Sequence, residues 1–180
     1  MTKQEIKEKI EKIVGFAKKQ FADGKEFLLM IEIIGIDNDN KVANLVVVLG
    51  DEKAQEKRFE ILNKLGKEMA LGVFPGRDKT GKEIKVTPMV IFMSSEVWMS
   101  KYDKEVDIKN IPMPSQDPKR VEGFSVAAST SDGKTYFQSF EIKRGDKIEL
   151  VGEINLNEGE TENNLLDEFW KGYFSIVKKA

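Results

Sequence analysis

Two residue types are missing from this sequence: it contains no cysteine and no histidine. The absence of cysteine excludes disulfides, thiolate nucleophiles, iron–sulfur clusters and cysteine-ligated zinc sites. The absence of histidine removes the commonest general base near neutral pH and the commonest transition-metal ligand. Any chemistry must therefore use carboxylates, lysine, tyrosine, serine or threonine, and any bound metal would be a hard ion such as Mg²⁺ or Ca²⁺.

A basic excess and long apolar runs are also missing. The formal net charge of −2 argues against a dedicated nucleic-acid-binding protein. The apolar runs are too short to cross a bilayer, and residues 1–5 lead into no signal-peptide core, so we expect a soluble, cytoplasmic protein and no membrane partner. With 180 residues and 40% hydrophobic residues, the chain suits a single domain over residues 1–180.

The spacing of apolar residues predicts three helices. Thr2 and Glu5 form a capping box, and the apolar positions behind them recur every three or four residues up to Gly24. A second helix is predicted over residues 51–71, with an N-cap at its first residue. Its predicted inward-facing residues are Ala54, Phe59, Ile61, Leu62, Leu65 and Met69.

The third predicted helix begins near Asn163 and is the most apolar of the three. Packing into the core, with Trp170 among the buried residues, accounts for this composition. The apolar face is also wide enough to leave room for a homodimer contact.

Alternation and turn residues predict about six strands. Residues 27–36 and 42–49 are joined by an Asp/Asn turn, and a further strand runs through residues 84–93. After residue 120, three strands form an antiparallel meander with one wet side, and Asp132-Gly133 is the signature of a type I′ hairpin. We therefore predict an α+β fold: a mainly antiparallel sheet of about six strands with three helices packed on it.

Residues 76–82 match the first seven positions of a phosphate-binding P-loop, G-x-x-x-x-G-K. Glu83 replaces the serine or threonine that would hold Mg²⁺, and its charge would repel a phosphate. A P-loop also opens a helix, whereas a strand is predicted next. An exposed turn explains this segment better, and no cofactor is predicted.

The candidate site lies in residues 88–120, where an apolar strand leads into a charged, proline-marked connection. Ordered connections on a rigid sheet are common places for function. Trp98 is either a core anchor or one wall of a recognition surface. The residues predicted for a ligand or partner surface are Glu96, Trp98, Tyr102, Asp117, Arg120 and Glu122. No catalytic residue or metal ligand is predicted.

The stretch Glu96-Val97-Trp98-Met99, the segment P-S-x-D-P-x-R-x-E over residues 114–122 and the following Asp-Gly hairpin form a recognisable pattern. In these features the chain resembles small uncharacterised prokaryotic or phage-borne proteins over about residues 90–140. The resemblance implies no activity, cofactor or site; it indicates only that the connection is a unit.

Three functions fit these observations. A non-catalytic binding or regulatory module, recognising an unidentified protein or small ligand near residues 96–122, is favoured by the missing catalytic motifs and by an aromatic and arginine-bearing surface. An Mg²⁺-dependent hydrolase would use carboxylates such as Glu96, Asp103, Asp117 and Glu122. An oligomeric structural protein would assemble through the last helix.

Overall fold

The computed structural model of this chain describes residues 1–49, 57–72, 76–77, 83–100, 116–152, 157–159 and 165–178. Its helices are α1 (Lys3–Ala22), α2 (Arg58–Leu71) and α3 (Leu165–Val177). Its strands are β1 (Leu29–Asp37), β2 (Val42–Leu49), β3 (Gly76–Arg77), β4 (Glu83–Ile84), β5 (Val86–Met99), β6 (Val121–Thr130), β7 (Thr135–Arg144), β8 (Ile148–Val151) and β9 (Asn157–Gly159).

The main sheet is antiparallel, in the order β2-β1-β5-β6-β7-β8. The last part of β7 pairs with β8 and its first part with β9, while β3 and β4 form a separate short hairpin. Helices cover both faces of the sheet, α1 on one and α2 with α3 on the other. This architecture confirms the predicted α+β fold, including the predicted order of the helices and the six longer strands.

Helix α1 begins at the predicted capping box. The Thr2 hydroxyl accepts the backbone N–H of Glu5 at 3.2 Å, and the Glu5 carboxylate accepts the backbone N–H of Thr2 at 2.7 Å. The bond from the Thr2 backbone, followed by a bond from the Thr2 hydroxyl to the same carboxylate at 3.1 Å, lowers the pKa of the Glu5 carboxyl below its usual value. The buried residues of α1 are Ile6, Ile10, Ile13, Val14, Ala17 and Phe21. They pack on the face of the sheet that presents Phe92 and Phe124.

Helices α2 and α3 pack against each other at two glycines. A Cβ atom on Gly66 would lie 2.1 Å from the carbonyl oxygen of Phe169, and one on Gly172 would lie 2.1 Å from that of Asn63. The backbones of the two helices therefore approach closely on the second face of the sheet. There Trp170 is buried, and its indole N–H donates to the Ser129 hydroxyl at 3.1 Å.

Both longer hairpins use one residue with positive φ, Asn40 (60°) and Gly133 (86°). In the second hairpin, the N–H of Gly133 donates to the Thr130 carbonyl at 3.0 Å, and the N–H of Thr130 donates to the Lys134 carbonyl at 2.9 Å. This pattern is a three-residue loop that ends in a glycine bulge. The predicted type I′ turn is wrong, because that turn also needs a positive φ at Asp132, which is absent.

The pairing of β1 with β5 contains a bulge. The register shifts by one residue between Ile34 and Gly35, opposite Pro88. Proline has no N–H to donate, so inside sheets it is found at bulges and edges. A Cβ atom at Gly35 would lie 2.2 Å from the Thr87 carbonyl oxygen, so only glycine fits the bulge without a shift of the backbone.

Two expectations about burial are wrong. Phe59 was predicted to face inward but is 55% exposed, because it lies in the first turn of α2, before the stretch against which α3 packs. The one wet side predicted for the meander is wrong for β6, where residues 123–130 are all buried because helices cover both faces of the sheet at this strand. In β7 the alternation is kept: Tyr136 is buried and Phe137 is exposed.

Some predictions fall outside the described residues, namely the start of the second helix at Asp51 and most of the P-loop-like segment. The first two residues of that segment and the two residues that follow it pair as β3 and β4, and the strand β5 comes next. A P-loop opens a helix, whereas the described residues after this segment form strands. None of the helices in the described ranges is long and apolar enough to span a membrane.

Candidate functional site

The site is built on a part of the sheet where two strands continue past their neighbour. Strand β5 pairs with β1 only as far as Ser94, whereas it pairs with β6 as far as Met99. We call residues 95–99 and 121–125 the β5–β6 extension. Because alternate residues of a strand share a face, Glu96 in this extension lies on the face that α1 covers farther along the sheet.

Three side chains of the extension and of the end of β7 form the Arg144 network: Glu96, Glu122 and Arg144. The guanidinium of Arg144 donates to Glu96 through Nη2 at 3.0 Å and to Glu122 through Nε. The hydrogen bond to Glu122, aided by the charges of both carboxylates, raises the pKa of Arg144 above its usual value. The three side chains are 28–44% exposed, so the network is held in contact with solvent.

Phe27 connects the network to the core. Its backbone N–H donates to the second oxygen of Glu96 at 2.8 Å, which ties the segment between α1 and β1 to β5. Its ring packs edge-on against Phe124, with centroids 4.8 Å apart, and Phe21 packs edge-on against Phe124 at 6.2 Å. The carboxylate of Glu96 is therefore held at two points above a rigid aromatic cluster.

Trp98 is on the surface. It is 46% exposed, and the guanidinium carbon of Arg120 lies 4.5 Å from the centroid of its ring. A cation over the face of an indole is attracted by the ring quadrupole, which orients both side chains. Of the two alternatives for Trp98, this exposure excludes the core anchor, and one wall of a recognition surface stays a prediction.

Asp117 has a different place from the one expected. It is only 4% exposed, and one of its carboxylate oxygens accepts the backbone N–H of Lys119 at 2.8 Å. Its backbone carbonyl accepts the N–H of Arg120 at 3.1 Å. Asp117 therefore shapes the turn that positions Arg120 and does not present its carboxylate to a ligand.

An open cavity of about 390 Å³ lies beside Trp98, and we call it the Trp98 cavity. Its lining residues are Arg58, Glu96, Val97, Trp98, Glu122, Gly123 and Arg144. Known small-molecule sites run from about 300 to 1,000 Å³, so the cavity is large enough for a compact ligand or for one or two side chains of a partner.

Arg58, the first residue of α2, differs from the other cations of the cavity. Its Nε is buried and has no hydrogen-bond partner in the described part of the chain, and burial lowers the pKa of its guanidinium. Arginine is scarce in this sequence, which has four in total. Arg58 and Arg144 line the Trp98 cavity, and Arg120 lies over the indole that forms its wall. Three of the four arginines therefore meet at one place.

The structure brings together four of the six predicted surface residues: Glu96, Trp98, Arg120 and Glu122. Asp117 lies in the supporting turn, and Tyr102 lies outside the described residues.

Sequence reasoning missed Arg144, Arg58 and the backbone N–H of Phe27. Arg144 had two usable signals, the rarity of arginine and its place two residues after the buried Ile142 on the same strand face. Arg58 shares the first of these signals but not the second, and the N–H of Phe27 has neither, because both residues reach the site from separate elements.

The charge pattern of the site suits recognition better than metal chemistry. The carboxylates of Glu96 and Glu122 both accept hydrogen bonds from one guanidinium, so a cation already occupies the position between them. Among the residues that the structure describes, no three acidic side chains are grouped closely enough to hold a metal ion.

Comparison with protein families, curated proteins and solved structures finds no family model, no protein and no structure that matches this chain. The geometry of the site is therefore the basis for any assignment of function.

Proposed function

We propose that this chain is a non-catalytic binding module that recognises a protein or a small ligand in the Trp98 cavity. The observation that carries the proposal is the meeting of an exposed tryptophan with three of the four arginines of the chain. Tryptophan and arginine are the residues most enriched at the energetic centres of interfaces. Arginine differs from lysine in offering a planar fork of donors and a face that stacks on aromatic rings.

The ligand is expected to combine one anionic group with a flat apolar group. Arg144 already donates to two carboxylates, and Arg120 is stacked on the indole, which leaves Arg58 as the cation whose Nε lacks a partner among the described residues. Arg58 lines the cavity, so a ligand carboxylate bound there can pair with its guanidinium. The exposed part of Trp98 supplies the surface for the flat group.

A ligand-observed NMR screen tests this proposal with aromatic carboxylates. N-acetylphenylalanine is the first probe, and its amide is the uncharged control ligand. We expect the acid to bind to the wild-type chain more tightly than the amide. Trp98→Ala and Arg58→Met should each weaken binding at least tenfold, whereas Phe137→Ala, which removes an aromatic ring that is 43% exposed outside the cavity, should leave it unchanged.

The same variants serve as baits for capturing a protein partner from the native cell, followed by mass spectrometry. The proposal predicts a partner that is retained by the wild-type chain and by Phe137→Ala and lost with Trp98→Ala. If neither the small carboxylates nor any captured protein depends on Trp98, this function is wrong.

A further inference from the structure

The two edges of the main sheet are protected to different degrees. Strand β8 is four residues long and carries Glu149, with Lys147 just before it. Strand β2 is eight residues long, and its sequence VANLVVVL contains no charge, no proline and no glycine. Exposed edge strands of monomeric proteins are usually short, charged or interrupted, because a regular apolar edge pairs with other strands. Strand β2 is neither short nor charged nor interrupted, so its edge lacks this protection.

The apolar side chains beside this edge are exposed. Residues that lie at or next to the edge and expose roughly half or more of their surface are Val42 (76%), Val46 (53%), Val48 (54%), Phe16 (49%) and Leu28 (48%). The last four also line an apolar groove of about 320 Å³ between α1 and β2. An apolar patch of this kind on a soluble fold marks an interaction surface.

The hydrogen-bond pattern shows which residues of β2 point outward. The N–H of Asp37 donates to the carbonyl of Lys41 at 2.9 Å, and this pair directly precedes the pair Ile36–Val42 of the β1–β2 ladder. In an antiparallel ladder, bonded and non-bonded pairs alternate. The odd-numbered residues of β2 therefore bond to β1. The N–H and C=O groups that point away from β1, to the side where no described strand pairs with β2, belong to Val42, Asn44, Val46 and Val48. We call this side the free edge of β2.

We propose that the free edge of β2 binds the β2 strand of a second copy of this chain, antiparallel and with Leu45 on the two-fold axis. This register places Val42 opposite Val48 of the second copy and Asn44 opposite its Val46. Each outward-pointing residue then meets another one, so that all four can form ladder bonds. Because β2 carries no charge, the two copies meet without like-charge repulsion.

The area of the patch fits a small, specific dimer. If a fully exposed residue of this size presents roughly 150–200 Å², the five exposed residues offer on the order of 500 Å² per copy, and two copies bury on the order of 1,000 Å² in side chains alone. That is the lower bound for a specific interface, and the ladder adds to it. The contact is isologous, and the short, charged β8 at the opposite edge does not extend it, so the assembly closes at two copies.

Sedimentation velocity of the full chain tests this inference, because the monomer has a mass of 20.4 kDa. We expect the wild-type mass to approach twice that value as concentration rises to on the order of 100 μM, within the range of a weak small interface. Val46→Lys should raise the dissociation constant at least tenfold. The matched control is Val177→Lys, which places the same charge on a valine of α3 that is 45% exposed. It should leave the dimer intact.

The register has its own test, which also covers the case that Val46→Lys fails to fold. Val42→Lys changes the most exposed residue of the strand and should dissociate the dimer. Adding Val48→Glu should restore part of the affinity, because each lysine then faces a glutamate of the other copy. A wild-type chain that stays monomeric, a dimer that survives both lysine variants of β2, or dissociation by Val177→Lys instead would overturn the inference. It is independent of the Trp98 cavity and can fail without affecting the proposed function.

Discussion

The two tryptophans of this chain lie on opposite faces of the same sheet and in opposite surroundings. Trp170 is 6% exposed between α3 and β6, and its indole N–H is satisfied by Ser129. Trp98 is 46% exposed on the β5–β6 extension, with Arg120 over its ring. The indole of Trp170 is part of the core, whereas the indole of Trp98 is held in place by Arg120 and stays accessible to solvent. Trp170 lies on the side of α3 that packs against the sheet. Trp98 lies on the part of β5 that continues past β1.

The same contrast separates two groups of charged side chains on the α1 face. Glu32 is 4% exposed beneath α1, where it accepts hydrogen bonds from Lys9 and Asn44. Glu122 is bound by Arg144 at the open end of the sheet. Both are ion pairs, but only the second can be reached by a ligand. Both residues are glutamates, so the residue type does not distinguish them. The difference is that α1 covers Glu32, the structural residue, and leaves Glu122, the candidate functional residue, exposed.

The largest effect that tests this contrast is expected from Trp170→Ala. Truncating a buried tryptophan typically costs about 3–5 kcal/mol, because apolar contacts are lost and a cavity remains. Urea denaturation followed by circular dichroism measures the free energy of unfolding. A loss below about 1 kcal/mol would mean that α3 is not anchored through this residue.

Glu32→Ala is expected to have the next largest effect. It leaves Lys9 and Asn44 without their shared partner, and breaking a buried pair in this way costs about 3 kcal/mol. The matched control is Glu122→Ala, whose ion pair is solvent-exposed and should cost less than about 1 kcal/mol. Equal losses for the two variants would show that the cover provided by α1 makes no difference.

A smaller effect on stability is expected from Trp98→Ala. About half of this side chain is already in water, so we expect a cost of about 1 kcal/mol or less in the free energy of unfolding. Its effect should appear in binding at the Trp98 cavity instead. A cost as large as that of Trp170→Ala would mean that Trp98 serves the core.

Iodide quenching of fluorescence distinguishes the two tryptophans without affecting the fold. In the single-tryptophan variants Trp170→Phe and Trp98→Phe, we expect Trp98 to be quenched severalfold more strongly than Trp170. The exposure of Trp98 allows the anion to reach it, and the charge of Arg120 attracts it. Equal quenching constants would contradict the difference in exposure.

Most of the fold could be predicted, because its signals are local. The capping box at Thr2, the apolar spacing in α1 and α3 and the alternation in the strands each depend on a few neighbouring residues. The hairpin at Gly133 was predicted with the wrong turn type, because an Asp-Gly pair fits a glycine-bulge loop as well as a type I′ turn. Phe59 was misplaced because its exposure depends on where α3 packs.

The candidate site could be predicted only in part. Glu96, Trp98 and Glu122 come together because β5 and β6 are consecutive antiparallel strands, a relation that the sequence predicts. Arg58 could not be placed, since α2 reaches the cavity through tertiary packing. The exposure of Trp98 depends on where β1 stops pairing with β5. The residues near Trp98 in the sequence do not predict that point.

The bulge at Pro88 has a consequence for the site ten residues away. Met89 is the one extra residue at the bulge, and it exchanges the faces to which even-numbered and odd-numbered residues of β5 point. Val86 therefore faces the α2–α3 layer, while Phe92 faces α1. If that residue were deleted, one half of the strand would have to turn over. Either Val86 would leave the core, or the Trp98 cavity would lose its wall. The orientation of the Trp98 cavity is thus set by the number of residues near the start of β5, roughly 30 Å along the strand from Trp98.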